Sequence, residues 1–263
     1  MKIGFWNVER LGKGTSAASK SVIANAIEWF FDHEDVELFV LCEITSSTTV
    51  TSSADTDMAI DKVGTIRRRV KKAASAQLGY AFVAKDGDFG GVASLVDIEN
   101  FDETYEFRTH KKSGNSFKNL SKRGVLEFNR LFNGVDVYFF HANSSAHAPY
   151  LVAWVAEALR RRVAGKYPFV LIGDLNCQPS ELTNLLKYYD HDELMGHGYS
   201  DSFKCRFAGN THNARLGAHK VLDYAITGAG TAATVSSWDT LCFSTELGYA
   251  DHPDHFPVVV QVG

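Results

Sequence analysis

An apolar run opens at residue 2 and another closes at residue 262, and this constrains the 263-residue chain more than any other feature. Both runs read as strands. The first carries Ile3-Gly4-Phe5-Trp6 and the last carries Val258-Val259-Val260. Further short apolar runs, bounded by Gly, Asp, Asn or Ser, lie at 37–42, 80–84, 91–96, 123–128, 135–141, 169–172 and 221–227. Helical spacing fills 19–31, 59–76, 149–163 and 180–189, with Ser180 placed to cap the last of these after Pro179. A chain that starts and ends in strands must seat both ends in sheets, which favours one closed domain over 1–263. Strands and helices are interspersed, and several strands are direct neighbours. That pattern predicts an α/β (α+β) protein of mixed sheets with helices outside them, rather than a purely parallel doubly wound sheet.

With 45% hydrophobic and 12% aromatic residues the chain can bury a sizeable core. The formal charge of −4 excludes a global basic field, so any polyanion contact must be local. The best local patch is 108–123, with Arg108, His110, Lys111, Lys112, Lys118, Lys122, Arg123 and no acid. It reads evenly as a solvated loop or as a phosphate contact made through Lys111, Lys112 and Arg123. A second basic run, Arg67, Arg68, Arg69, Lys71 and Lys72, falls in the 59–76 helical pattern. Consecutive helical residues fan around the axis, so this run reads as a solvated face. No apolar stretch is long enough to span a membrane, and no signal-peptide pattern is visible. Cys42, Cys177, Cys205 and Cys242 are scattered, without metal-ligand spacing. The expectation is a reduced, cytoplasmic monomer.

Four of the apolar runs end in residues that carry chemistry, and a fifth contains one. The first closes on Asn7, with Glu9 beyond it. The second runs into Glu43 with no turn residue between. That carboxylate is a solvated strand end or a cation ligand, and the cost of burying an unpaired charge favours the ligand. The third ends in His141-Ala142-Asn143-Ser144, where a structural histidine competes with a polar substrate pocket that includes Asn143. The fourth ends in Gly173-Asp174-Leu175-Asn176. If that stretch stays extended, Asp174 and Asn176 point to one side. In the fifth, Asp223 interrupts an apolar strand and needs a partner. A carboxylate–imidazole dyad with His255 would raise the pKa of the ring and set its tautomer. His255 belongs to Asp254-His255-Phe256-Pro257, an acid and an imidazole leading into the last strand.

Taken in chain order, Trp6-Asn7, Glu43, His141, Gly173-Asp174-Leu175-Asn176, Leu222-Asp223-Tyr224 and Asp254-His255-Phe256-Pro257 resemble the endonuclease/exonuclease/phosphatase superfamily, which has the deoxyribonuclease I-like fold. Residues 141–148 and 222–226 are most similar to the catalytic subunits of cytolethal distending toxins. The resemblance covers essentially the whole chain. It implies a four-layer sandwich of two packed mixed sheets flanked by helices. It also implies hydrolysis of a phosphoester by in-line attack of water with Mg²⁺, or Mn²⁺ in its place. Glu43 would be the principal metal ligand, helped by Asn7 and Asp254, with Glu9 nearby. Asp174 would orient or deprotonate the water, and Asn176 would bond a phosphate oxygen. His255, oriented by Asp223, and His141 would serve the phosphate and the leaving group. The tail holds two Asp-His pairs, and only Asp254-His255 has the family's Pro two residues after the His. Pro253 replaces the family's usual Ser. DNA is the expected substrate, with phosphoinositides, sphingomyelin or a small phosphoester as the alternative and a non-catalytic binding module as a third reading.

Overall fold

The structure is a computed structural model and describes residues 1–67, 77–87, 93–96, 124–163, 168–190, 203–213, 219–228, 230–237 and 254–263. The first half of the chain runs β1 (Lys2–Asn7), α1 (Ala17–His33), β2 (Val36–Ile44), the hairpin β3 (Thr48–Thr51) and β4 (Asp57–Ile60), β5 (Val63–Arg67), β6 (Gln77–Ala84), β7 (Ala93–Val96) and β8 (Val125–Phe128). The second half runs β9 (Asp136–Phe139), α2 (Ala148–Val163), β10 (Phe169–Asp174), α3 (Pro179–Asp190), β11 (Phe203–Arg206), the ribbon β12 (His212–Asn213) and β13 (His219–Lys220), β14 (Asp223–Gly228), β15 (Ala233–Ser237) and β16 (Val258–Val262).

Two six-stranded sheets form, ordered β15-β16-β1-β2-β6-β5 and β11-β14-β10-β9-β8-β7. Each contains one parallel pair, β1 with β2 and β9 with β10, and every other pairing is antiparallel. The parallel pairs follow from β1-α1-β2 and β9-α2-β10, since a parallel connection needs a crossover and a helix supplies it. Side-chain alternation then sorts the residues into layers. Ile3, Phe5, Leu38, Val40 and Cys42 of the first sheet meet Val137, Phe139, Val170, Ile172 and Ala225 of the second in a core between the sheets. The opposite face of the first sheet, with Trp6, Phe39, Leu41 and Val259, receives Ile23, Ile27, Phe30 and Phe31 of α1. The outer face of the second sheet, with Phe140, Leu171, Tyr224 and Ile226, receives α2 and α3 through Leu151, Val155, Leu159 and Leu182. Each fully buried side chain of this kind contributes ~1.5–3 kcal/mol. The result is helix, sheet, sheet, helices: the four-layer sandwich that the resemblance implies.

Local signals explain the helix limits. Ser16 caps α1, accepting from Ser19 N, and Glu34 N closes the end onto Phe30 O. The start of α3 differs from expectation. Pro179 occupies its first position, and Gln178 N donates to Glu181 Oε2, so Ser180 lies inside the helix rather than capping it.

Over 59–67, the described part of the helix expected at 59–76, strands form instead. These are the end of β4 and all of β5, which pairs with β6. Met58 and Ile60 alternate with exposed Asp57 and Ala59, a period of two that a wider window hides under the lysine and arginine spacing of 66–72. Arg67 therefore ends a strand, while Arg68, Arg69, Lys71 and Lys72 lie outside the described residues. So do the 108–123 patch, with Lys111, Lys112 and Arg123, and the first tail pair, Asp251-His252. Among the described residues no helix is long and apolar enough to cross a membrane, and Cys177 and Cys205 are free thiols.

Candidate active site at the mouth of the two sheets

Strand polarity gathers the polar residues. The parallel strands β1, β2, β9 and β10 all finish at one end of the sandwich, which is where Asn7, Glu43, His141 and Asp174 stand. Open α/β sheets commonly bind ligands at such carboxyl ends. The antiparallel partners begin there, so β14 opens on Asp223 and β16 is entered through Asp254-His255. Alternation sets the direction. Asn7 follows Ile3 and Phe5, His141 follows Val137 and Phe139, Asp174 follows Val170 and Ile172, and Asp223 precedes Ala225, all on the inner face.

Glu43 breaks the alternation and is recovered by a bulge. The β2–β6 register shifts between Cys42 and Ile44, leaving Glu43 as the extra residue with φ +63°. Bulges of this kind re-aim a side chain. Here Ile44 keeps its place against α1 while the Glu43 carboxylate turns towards His141. Among the described residues Glu43, Asn176 and Glu9, the last beside Asp254, all have positive φ at this mouth. Local backbone strain is concentrated there, as it is at functional sites generally.

Asp174 is the centre. It is buried, its Oδ2 accepts from Asn7 Nδ2 at 3.0 Å, and its Oδ1 accepts from Asn176 N at 3.1 Å. An imidazole stands on each side of Oδ2, His141 Nε2 at 3.4 Å and His255 Nε2 at 3.7 Å. Each ring has a second acid. Glu43 Oε1 lies 3.6 Å from His141 Nε2, and Asp223 Oδ2 lies 2.8 Å from His255 Nδ1. The rings are also held through their backbones: Trp6 Nε1 donates to His255 O at 2.9 Å, and His141 N donates to Tyr80 Oη at 2.7 Å.

Burial pushes Asp174 up to about 6, against the pull of the His255 charge. Burial also opposes charge on His255, but the carboxylates of Asp223 and Asp174 outweigh it and push the imidazole up to about 10. At neutral pH the site thus pairs an ionised Asp174 with a protonated His255. At the rim, burial and then the neighbouring Asp254 push Glu9 up to about 7. Burial alone would raise Asp254. Its contacts with His212 and Glu9, together with the imidazole charges, instead draw it well below the usual carboxylate range.

Asn176 departs from expectation. Its φ of +50° turns the chain, so Asp174–Asn176 is not extended and the two side chains do not run parallel. Its backbone amide closes an Asx-type turn on Asp174, and its Nδ2 donates to Ala142 O at 3.0 Å. Asn143 lies partly exposed in the loop between β9 and α2.

Oxygen donors for a hard cation stand at Glu43, Asp254 and the Asn7 amide, whose oxygen accepts from Glu9 N. Asp254 Oδ1 is a buried atom with no hydrogen-bond partner among the described residues. The closest ligand clusters among those residues are His212, Asp254 and His255, and Asp174, Asp223 and His255. Glu43 joins neither; its Oε1 lies 3.6 Å from His141 Nε2.

His212 escaped the sequence reading. Its ring meets that of His255 edge-on at 4.7 Å, and its Nε2 lies 3.7 Å from Asp254 Oδ2. It sits on a two-residue strand in a polar stretch with no apolar pattern, so the only signal available was its residue type.

No family model matches the chain, and no curated protein matches it. Solved structures do. The cytolethal distending toxin of Actinobacillus actinomycetemcomitans superposes with a TM-score of 0.60, at 14% identity, over 99% of this chain and 97% of that one. An endonuclease/exonuclease/phosphatase family protein from Leptotrichia buccalis gives 0.56 at 12% identity, over 100% and 99%. A mannosyl-6-phosphatase of Bacteroides thetaiotaomicron gives 0.51 at 14%, over 100% and 99%. The fold is deoxyribonuclease I-like. In this deoxyribonuclease I-like chain the polar residues of six separate segments converge on one mouth, although the identity to each of these neighbours is low.

Proposed function

We propose that the chain is a divalent-cation-dependent phosphoesterase, acting as an endonuclease on DNA phosphodiester bonds. The observation that carries this reading is Asp174 held between two imidazoles, each backed by a second carboxylate.

A hard dication suits the oxygen donors Glu43, Asp254 and Asn7, and the orphaned Asp254 Oδ1 is a donor that such an ion would satisfy. Glu43 and Asp254 are 19% and 39% exposed, so an ion and a phosphate can reach them from solvent. A bound Mg²⁺ or Mn²⁺ would neutralise charge on the phosphate. The chain's own residues supply the rest. Asn7 Nδ2 and Asn176 N orient the Asp174 carboxylate. Its raised pKa makes it a better base near neutral pH than an ordinary aspartate. It takes a proton from the attacking water as the new P–O bond forms. His255, kept cationic by Asp223, donates a hydrogen bond to a non-bridging oxygen. His141, on the other side of Asp174, is placed to give a proton to the leaving oxygen as the old P–O bond breaks. Each such contribution is worth ~10²–10⁴-fold in rate.

A phosphatase or phosphodiesterase acting on phosphoinositides or another small phosphoester is the second reading. It is supported by the same geometry, since every step above acts on a single phosphate group, and by the likeness to a mannosyl-6-phosphatase. Incubation with supercoiled plasmid and Mg²⁺, with and without chelator, tests the first reading, and phosphate release from inositol lipids and sugar phosphates tests the second. The nuclease reading expects nicking that is lost with chelator and in His255→Ala. Cleavage confined to the small substrates moves the assignment to the second reading. A His255→Ala protein as active as the parent on every substrate would refute the mechanism, and a parent inert on all of them would leave the binding-module reading standing.

A further inference from the structure

The Asp223–His255 dyad straddles the sandwich. Asp223 opens β14 in the second sheet, and His255 enters β16 in the first. Apolar packing between sheets is non-directional and sets no slide between them to a few tenths of an ångström. A 2.8 Å contact between Nδ1 and Oδ2 needs that degree of register. Something directional must tie the two strand entrances together.

Thr211 is placed to do so. It is fully buried, lies immediately before β12, and is not itself one of the residues named in the mechanism. Its Oγ1 accepts from Asp223 N at 2.8 Å and from Leu222 N at 3.0 Å, gripping the entrance of β14. Its carbonyl accepts from Phe256 N at 2.7 Å, gripping the entrance of β16 one residue after His255. Its own N–H donates to Lys220 O at 3.0 Å, anchoring it to β13. One residue thus bonds the chain beside both members of the dyad. The next residue, His212, packs edge-on against the His255 ring. The other imidazole shows the same device: Tyr80 of the first sheet accepts from the backbone N–H of His141 beyond β9 in the second.

We propose that Thr211 is a positioning residue. Its hydroxyl and carbonyl couple the two sheets at the dyad and hold His255 Nδ1 on Asp223. This rests on the phosphoesterase reading for its effect on rate, though not for its effect on the ring. Valine is isosteric and removes only the acceptor, whereas serine keeps it. Thr211→Val should lower kcat ~10²-fold with KM within about threefold, as expected when a reacting group is misplaced and substrate contacts remain. It should also shift the ring ¹⁵N resonances of His255, because the Nδ1 hydrogen bond is lengthened. Thr211→Ser should restore both. Phe30→Leu, in the core under α1, serves as a destabilised control and should change neither at a temperature well below its midpoint.

Wild-type ring resonances in Thr211→Val would overturn the proposal. A Thr211→Ser protein as impaired as the valine variant would also do so, as would a Phe30→Leu protein with an equal loss of kcat. If the parent proves inactive on phosphoesters, the resonances still decide the coupling, and the phosphoesterase reading fails separately.

Discussion

Gly173→Ala is the sharpest test of how the fold places Asp174. A Cβ at Gly173 would lie 1.8 Å from Phe140 O and 2.8 Å from Phe140 C, both backbone atoms that no side-chain rotation can move. Real Cβ contacts stay beyond 3.0 Å, so β10 and the end of β9 must separate by roughly 1.2 Å. The two hydrogen bonds that flank the clash, Phe140 N to Ile172 O and Ala142 N to Asp174 O, would stretch or break. At ~1 kcal/mol each, with ~1–3 kcal/mol of packing strain, the expected loss is about 3–5 kcal/mol. That corresponds to a fall in Tm of roughly 6–20 °C for a protein of this size. Asp174 is the next residue, and its contacts at 3.0–3.7 Å leave no slack for such a shift. A misplacement of ~1 Å costs ~10²-fold in kcat. Gly14→Ala is the control, because a Cβ there meets nothing within 4 Å. Denaturant and thermal melts give the stability, and turnover measured well below the lower Tm gives the rate. A Gly173→Ala protein within about 0.5 kcal/mol of the parent and fully active would refute the claim that close approach of β9 and β10 sets the position of Asp174.

Two further outcomes follow from the site. In chelator, His255 has a folded-state pKa of about 10 against an ordinary 6.5. The stability this provides is complete below pH ~6.5 and disappears as pH rises towards 10, a change on the order of 5 kcal/mol at most. Burial-raised Asp174 acts in the same direction in a lower window, its charge costing stability fully above pH ~6 and less as pH falls towards 3.8. Asp223→Asn removes the closest acid from His255, so the decline in Tm between pH 6.5 and 10 should flatten; an unchanged slope rules out Asp223 as its cause. Glu43→Gln should weaken Mn²⁺ binding at least ~10-fold by titration calorimetry, since an amide is a poorer ligand than a carboxylate for a hard cation. Equal affinity would remove Glu43 from the cation site.

Much of this protein was legible in its sequence, because strand signals and strand ends are local. Apolar alternation located β1, β2, β9, β10, β14 and β16, and the residues that close or open them are the ones that meet at the mouth. The pairing of Asp223 with His255 could be argued from the cost of an unpartnered acid in an apolar strand. Where local signals conflicted, the reading failed. Helical spacing over 59–76 hides the strand alternation of Ala59 and Ile60, and the turn at Asn176 is hidden because a left-handed conformation at a non-glycine residue leaves little trace in one sequence.

Tertiary structure alone decided the remainder. The bulge that turns Glu43 towards His141 exists only because Ile44 must still face α1. His212 matters through a ring that is neighbouring in space and 43 residues away in sequence. Thr211 bonds Asp223 and Phe256, which come from different sheets, and no run of residues encodes that contact. Sequence specifies which faces are apolar and where strands stop, since these depend on neighbours along the chain. The distances that make a carboxylate a base or an imidazole a cation depend on how two sheets are bolted together, and only the folded chain sets those.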